Sequence, residues 1–167
     1  MTIKTGYWGL KLGPDHIAIG VSRGVPRWLK AVPPRLPETF PGAWFQTART
    51  EEYRARYAQI LGRLDPVDIV ARIDQLAQGR IPVLTCYERP NAGQWCHRSF
   101  LSCWLCLHLG LVVEEYGLEG QGFAASHPLL PAEYRVPLGS PSPAATVVCT
   151  RRGIPLGNPQ NDRPDYE

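Results

Sequence analysis

The chain reads as an α/β domain, a single three-layer unit built on a parallel or mixed sheet, and three observations predict this. Short runs rich in β-branched residues alternate with amphipathic helical segments. The clearest strand is apolar on both faces, as an inner parallel strand is. The 17 prolines gather at the ends, six before position 42 and eight from 128 onward, leaving the middle of the chain for regular structure.

Residues 17–22 (IAIGVS) are short, apolar and β-branched and run into the breaker-rich RGVPRW, which predicts a buried strand ending in a turn. Pro33, Pro34, Pro37 and Pro41 then forbid a regular helix and predict a long surface loop. From Thr50, read as an N-cap with Glu51 and Glu52 in the first turn, the residues Tyr53, Tyr57, Ile60, Leu61 and Leu64 recur at helical spacing. Asp65 followed by Pro66 restarts a helix with a cap and then proline at the first helical position. Its apolar stripe, Ile69, Val70, Ile73, Leu76 and Ala77, runs to Gly79.

Residues 81–87 (IPVLTCY) form the clearest strand, with Pro82 confined to its start. After the loop ERPNAGQW, the segment CHRSFLSCWLCLHLG is apolar nearly all round, which predicts a helix buried on several sides and ending at Gly110. Residues 111–116 (LVVEEY) are a further strand candidate. The arrangement is Rossmann-like, with helices expected on both faces and ligands expected beyond the carboxyl ends of the strands. The α/β domain is expected over residues 1–136, followed by an irregular, proline-rich C-terminal extension over 137–167.

Composition narrows the partners. With 44% apolar and 20% charged residues among 167, and no apolar run near the roughly 20 residues of a membrane span, neither the disordered nor the membrane class fits. The N-terminus lacks the apolar stretch of a signal peptide, so a cytoplasmic location is expected. Five cysteines in no framework spacing read as reduced thiols. A net charge of +3 permits a phosphate-bearing partner without requiring one. Arg49, Arg54, Arg56, Arg63 and Arg72 alternate with acidic residues and read as a solvated helical face. The oligomeric state is not legible.

The richest chemistry lies in the strand-to-helix segment 86–99. Cys86 and Glu88 end the best strand, and Cys96, His97, Arg98 and Ser99 begin the next helix. A helix start offers unpaired backbone N–H groups and a positive dipole end, which suit an anion, and Arg98 adds a planar fork for phosphate or carboxylate. The same field lowers the pKa of a cysteine placed there, so Cys96 is expected to be more thiolate-like than Cys103 or Cys106, which with Trp104 read as core. The bland alternative makes Cys86 a small core residue, pairs Glu88 with Arg98, and lets His97 satisfy a backbone carbonyl. His16 and His127 sit among turn residues with no evident partner.

These residues resemble a known family. VSRGVPRWL (21–29), the LDP at 64–66 and above all VLTCYERPNAGQWCHRSFLSCWL (83–105) are similar to the domain-of-unknown-function family 488 of bacteria and phages. Its pattern is a strand ending in Cys-x-Glu, a loop, Cys-His-Arg and a helix. Here Cys86, Glu88, Cys96, His97 and Arg98 carry it, and the family's earlier turn falls on Ser22, Arg23 and Pro26. The resemblance, over roughly residues 5–116, implies the same strand-helix order and brings no established activity.

Spacing rules several chemistries down. No cysteine has an arginine six positions on, as a cysteine-dependent phosphatase loop needs, and neither a Walker loop nor a dinucleotide fingerprint is present. Cys96 and Cys103, two helical turns or roughly 10 Å apart, cannot share one ion. Cys86, Cys96 and His97 can do so only if the loop folds back, so neither metal nor cofactor is expected. The expected function is binding or modifying a phosphate-bearing substrate, a nucleotide or nucleic acid. Cys86, Glu88, Cys96 and His97 are then the catalytic candidates, and Arg98, Ser99, Arg23 and Ser22 hold the anion. The alternatives are a non-catalytic nucleotide- or protein-binding module and a structural Cys/His metal site.

Overall fold

One strand, the third in chain order, organises the sheet. In the computed structural model, which describes residues 1–121 and 124–135, β3 (Ile81–Cys86) lies between β2 (His16–Gly20) and β1 (Lys4–Tyr7), with β4 (Glu114–Glu115) beyond β1. Every pairing is parallel. The α/β class and the parallel sheet are thus as the sequence predicts. β1 carries no strand signal in the sequence because KTGY lacks an apolar run, and the predicted strand at 111–116 shrinks to two paired residues. The expected extension at 137–167 lies outside the described residues.

Three helices pack on one face: α1 (Thr50–Leu61), α2 (Pro66–Ala77) and α3 (His97–Leu109). Alternation along the strands explains the choice of face, because Ile17, Ile19, Leu84 and Cys86 point the same way and join Tyr57, Leu61, Ile73, Leu101 and Leu105 in one buried cluster. Each such side chain contributes on the order of 1.5–3 kcal/mol through removal from water. α2 begins as read, with the Asp65 carboxylate accepting from the Val67 N–H at 2.7 Å. α1 begins one residue earlier than predicted: Arg49 occupies the cap position and Thr50 is already helical. In α3 every residue from 97 to 106 is buried, as its all-round apolar sequence requires.

The third layer is made of loop rather than helix. Since β1 and β2 flank β3, the short connection over residues 8–15 must cross the sheet, and it does so on the face the helices leave open. Two glycines permit the close approach. A Cβ on Gly6 would stand 2.9 Å from Leu10 Cδ1, and one on Gly20 3.0 Å from Trp8 Cη2.

A buried polar chain fastens α3 to the sheet. The Arg98 guanidinium, fully buried, donates to both carboxylate oxygens of Glu115, Nε to Oε2 at 3.1 Å and an Nη to Oε1 at 2.8 Å. Thr5 Oγ1 donates to Glu115 Oε2 at 2.8 Å and lies 2.8 Å from His127 Nε2. The Leu129 N–H donates to His127 Nδ1 at 3.2 Å, so the ring is neutral with its proton on Nε2, aimed at Thr5. The 3.5 Å approach of His127 to Glu115 is therefore a polar contact and not an ion pair. Burial and the nearby Arg98 charge hold the imidazole neutral, its pKa lowered to about 3.

This depression fixes the sign of a pH dependence. Between about 6.5 and about 3 the unfolded chain binds a proton at His127 that the folded chain refuses. The contribution of His127 is complete above 6.5 and is lost as pH falls toward 3. The melting temperature should fall across this window, and the slope should be shallower for His127→Gln than for the parent chain. Equal slopes in thermal melts between pH 7 and 4 would show that His127 is not the group responsible.

Candidate functional site

The carboxyl end of β3 places Cys86 at the floor of a crevice beyond the sheet, where a parallel α/β fold leaves room for a ligand. The chain then leaves through Tyr87 and Glu88, passes a short 3-10 turn at Pro90–Ala92, bends at Gly93 (φ 68°) and returns as Trp95 and Cys96. Cys96 is the N-cap residue of α3, and its side chain makes no capping bond, so its sulfur faces the crevice. Its backbone is anchored: the Cys96 N–H donates to the Leu129 carbonyl at 3.0 Å, and the Ser99 hydroxyl lies 2.6 Å from the Cys96 carbonyl.

The result is a cavity of about 180 Å³ with a reactive floor and aromatic walls. Cys86, Cys96 and His97 form the floor, each at most 5% exposed. Glu88 stands beside them, its Oε2 accepting from the Cys86 thiol at 3.1 Å. The walls come from Phe45, Tyr53, Tyr87 and Trp95, and the edge from Ser22 and Arg23 on the turn after β2. That turn is stiffened by Arg35, which donates to the Ser22 and Arg23 carbonyls, and by the Ser22 hydroxyl, which donates to the Gly24 carbonyl.

His97 is oriented by the sheet. Its Nε2 donates to the Val21 carbonyl at 2.9 Å, leaving Nδ1 directed at both sulfurs, 3.9 Å from Cys86 Sγ and 3.9 Å from Cys96 Sγ. The Tyr57 ring meets it edge-on at 5.3 Å. The electrostatics divide the two thiols. Hydrogen bonding with Cys96 and burial push the Cys86 thiol well up. Burial also opposes a Cys96 thiolate, but the Cys86 S–H, the Arg98 charge and His97 outweigh it and bring Cys96 well below the ordinary thiol value. Burial lowers the His97 pKa, yet the adjacent Cys96 thiolate reverses the shift and raises it. Burial and the same thiolate raise the Glu88 carboxyl, which suits it to carry a proton.

Six of the eight residues singled out from the sequence therefore line one cavity: Cys86, Glu88, Cys96, His97, Ser22 and Arg23. Arg98 and Ser99 do not. Arg98 points into the core, where Glu115 takes its fork and the Glu88 backbone carbonyl, not the carboxylate, accepts a further bond at 2.8 Å. Ser99 spends its hydroxyl on backbone carbonyls. The expected anion cradle of Arg98 and the helix start is thus corrected: the cation at the crevice is Arg23. Glu115, Thr5 and His127 were missed, although an acidic pair inside the apolar LVVEEY was a signal that a buried cation must answer it.

The Arg98 pair makes a prediction for stability. Arg98→Ala strands the Glu115 carboxylate in the core and should cost about 3–5 kcal/mol. Arg98→Met combined with Glu115→Leu should recover most of that loss, since apolar replacement of a buried pair is often neutral. Urea unfolding of the three chains tests this. A single variant within about 0.5 kcal/mol of the parent, the range of surface substitutions, would contradict the burial of the pair.

No family model matches the chain, and comparison with curated proteins and with solved structures likewise returned no match.

Proposed function

We propose that the crevice at the carboxyl ends of β2 and β3 binds a small phosphate-bearing molecule, a nucleotide or an exposed nucleic-acid unit, and modifies it. The observation that carries this reading is the convergence of two thiols, an imidazole and a carboxylate on the floor of one open cavity beside Arg23. Such groups are seldom brought together by packing alone, and their shifted proton affinities are the mark of sites that do chemistry. Flat aromatic walls suit a base, which stacks on any π-face at about 1–3 kcal/mol. Arg23 offers its guanidinium to the phosphate.

Within this reading Glu88 is the acid–base group, and Cys96 with His97 the reactive pair. The likeness to family 488 rests on the same half-motifs and adds no reaction. A purely structural role fits Arg98 and Ser99, which are buried and hydrogen-bonded within the core, better than it fits Glu88, whose carboxyl lies at the cavity.

Thermal melts of the chain with a panel of nucleoside mono-, di- and triphosphates and short oligonucleotides test the reading. At least one of them should raise the melting temperature, and Arg23→Ala should weaken that ligand by roughly 10- to 100-fold, the loss of a hydrogen bond to a charged group. Arg23→Ala should leave the ligand-free melting temperature within about 2 °C, because Arg23 is exposed. A panel without any stabilising member, or stabilisation that is the same in Arg23→Ala, would rule the reading out.

A further inference from the structure

We propose that Cys86, Cys96 and His97 form a zinc site. The three ligand atoms, Cys86 Sγ, Cys96 Sγ and His97 Nδ1, all lie within 4.8 Å of one another. A tetrahedral zinc with bonds near 2.3 Å to sulfur and 2.0–2.1 Å to nitrogen separates its sulfurs by about 3.8 Å and each sulfur from the nitrogen by about 3.5 Å. The two Nδ1 to Sγ distances of 3.9 Å stand within a few tenths of an ångström of that geometry. The loop folds back, which is the condition spacing alone imposed on these three residues.

Three further features separate this group from a chance cluster. First, the other nitrogen of His97 is already committed, Nε2 donating to the Val21 carbonyl at 2.9 Å. A ligating histidine is held in this manner, the outer hydrogen bond fixing tautomer and ring direction so that the inner lone pair faces the ion. Second, the ligands come from rigid parts of the fold, the end of β3 and the first residues of α3, and α3 is fastened to the sheet through Arg98 and Glu115. Third, two soft thiolates and an imidazole are the donor set that favours zinc over magnesium or calcium. The Cys96 side chain makes no capping bond, so binding would break no hydrogen bond at the helix start. Two thiolates also balance the charge of the ion, which relieves the cost of burying either sulfur charged.

Three protein ligands that border a cavity are the pattern of a catalytic rather than a closed structural zinc. Glu88, whose Oε2 is 3.1 Å from Cys86 Sγ, then stands outside the ligand set. The inference deepens the reading of the crevice as a reactive site, making Cys96 a ligand instead of an attacking group. The metal itself requires no substrate.

The test uses the full chain. Elemental analysis after purification without chelator should give about one zinc per chain. After chelation, cobalt(II) should enter with thiolate-to-cobalt charge-transfer absorption and the visible bands of a tetrahedral ion, and zinc should displace it stoichiometrically. Cys96→Ser, Cys86→Ser and His97→Gln should each weaken cobalt binding by more than about 100-fold, whereas Cys103→Ala and Glu88→Gln should keep it. Chelated parent chain that is folded by circular dichroism yet takes up no cobalt with sulfur charge transfer would overturn the site, whatever the variants do. So would uptake indifferent to Cys96→Ser, or abolished by Glu88→Gln. These results are independent of the nucleotide melts, which read Arg23, so a failure of either inference is visible separately.

Discussion

Glu115 and Arg98 hold the architecture of this protein together at one buried point. The guanidinium belongs to the second residue of α3, the carboxylate to β4, and the same two groups reach the backbone of the strand-to-helix loop and Thr5 of β1. Two opposite charges removed from water are stabilising only when geometry is good and the remaining lone pairs are used. Here the fork is bidentate, and Thr5 and the neutral His127 complete the carboxylate side. One consequence is positional. With α3 pinned at its start, Cys96 and His97, the two residues before Arg98, cannot drift from the end of β3.

The crevice inherits its polarity from this arrangement. The Cys86 thiol, the buried Arg98 and His97 act together on the Cys96 sulfur, while Glu88, next to the same loop, keeps its proton more readily because burial and the thiolate disfavour a second negative charge. The site thus obtains one group biased to be charged and one biased to be neutral from residues only eight positions apart in the chain. The cation left for a ligand is Arg23, on the rigid turn that follows β2.

Much of this was legible from the sequence. The long periodic segments became α1, α2 and α3, and the doubly apolar run 81–87 became β3, because burial on one or both faces writes itself into residue spacing. Of the six cavity residues singled out from the sequence, four lie in the stretch 86–97, which a strand followed by a short loop and a helix brings together by necessity. Long-range pairing was harder to read. Nothing near Arg98 in the chain announces that Glu115 would take its fork, and Thr5 and His127 stand at opposite ends of the described residues. β1 was invisible because a four-residue strand with a lysine and a glycine has no periodicity to detect, and the alternation of strand and helix implied helices on both faces, whereas the connection over residues 8–15, unusually short between parallel strands, covers one face with loop.

That crossing constrains the order of folding. β1 and β2 do not pair with each other; each pairs with β3, which enters the chain some sixty residues after β2. Apart from Gly20, which bridges Arg35, the first twenty residues therefore have no ladder partner until residues 81–86 have been made, and their strand groups must wait in water. Closing a loop of that length costs entropy before any strand contact repays it, so the sheet is a late, non-local event. α1 and α2, with their local hydrogen bonds, lie wholly within the intervening stretch and are available to collapse first. On this view β3 is the keystone: its arrival joins β1 to β2 and delivers Cys86 to the crevice in the same step, leaving only the short β4 to add at the edge.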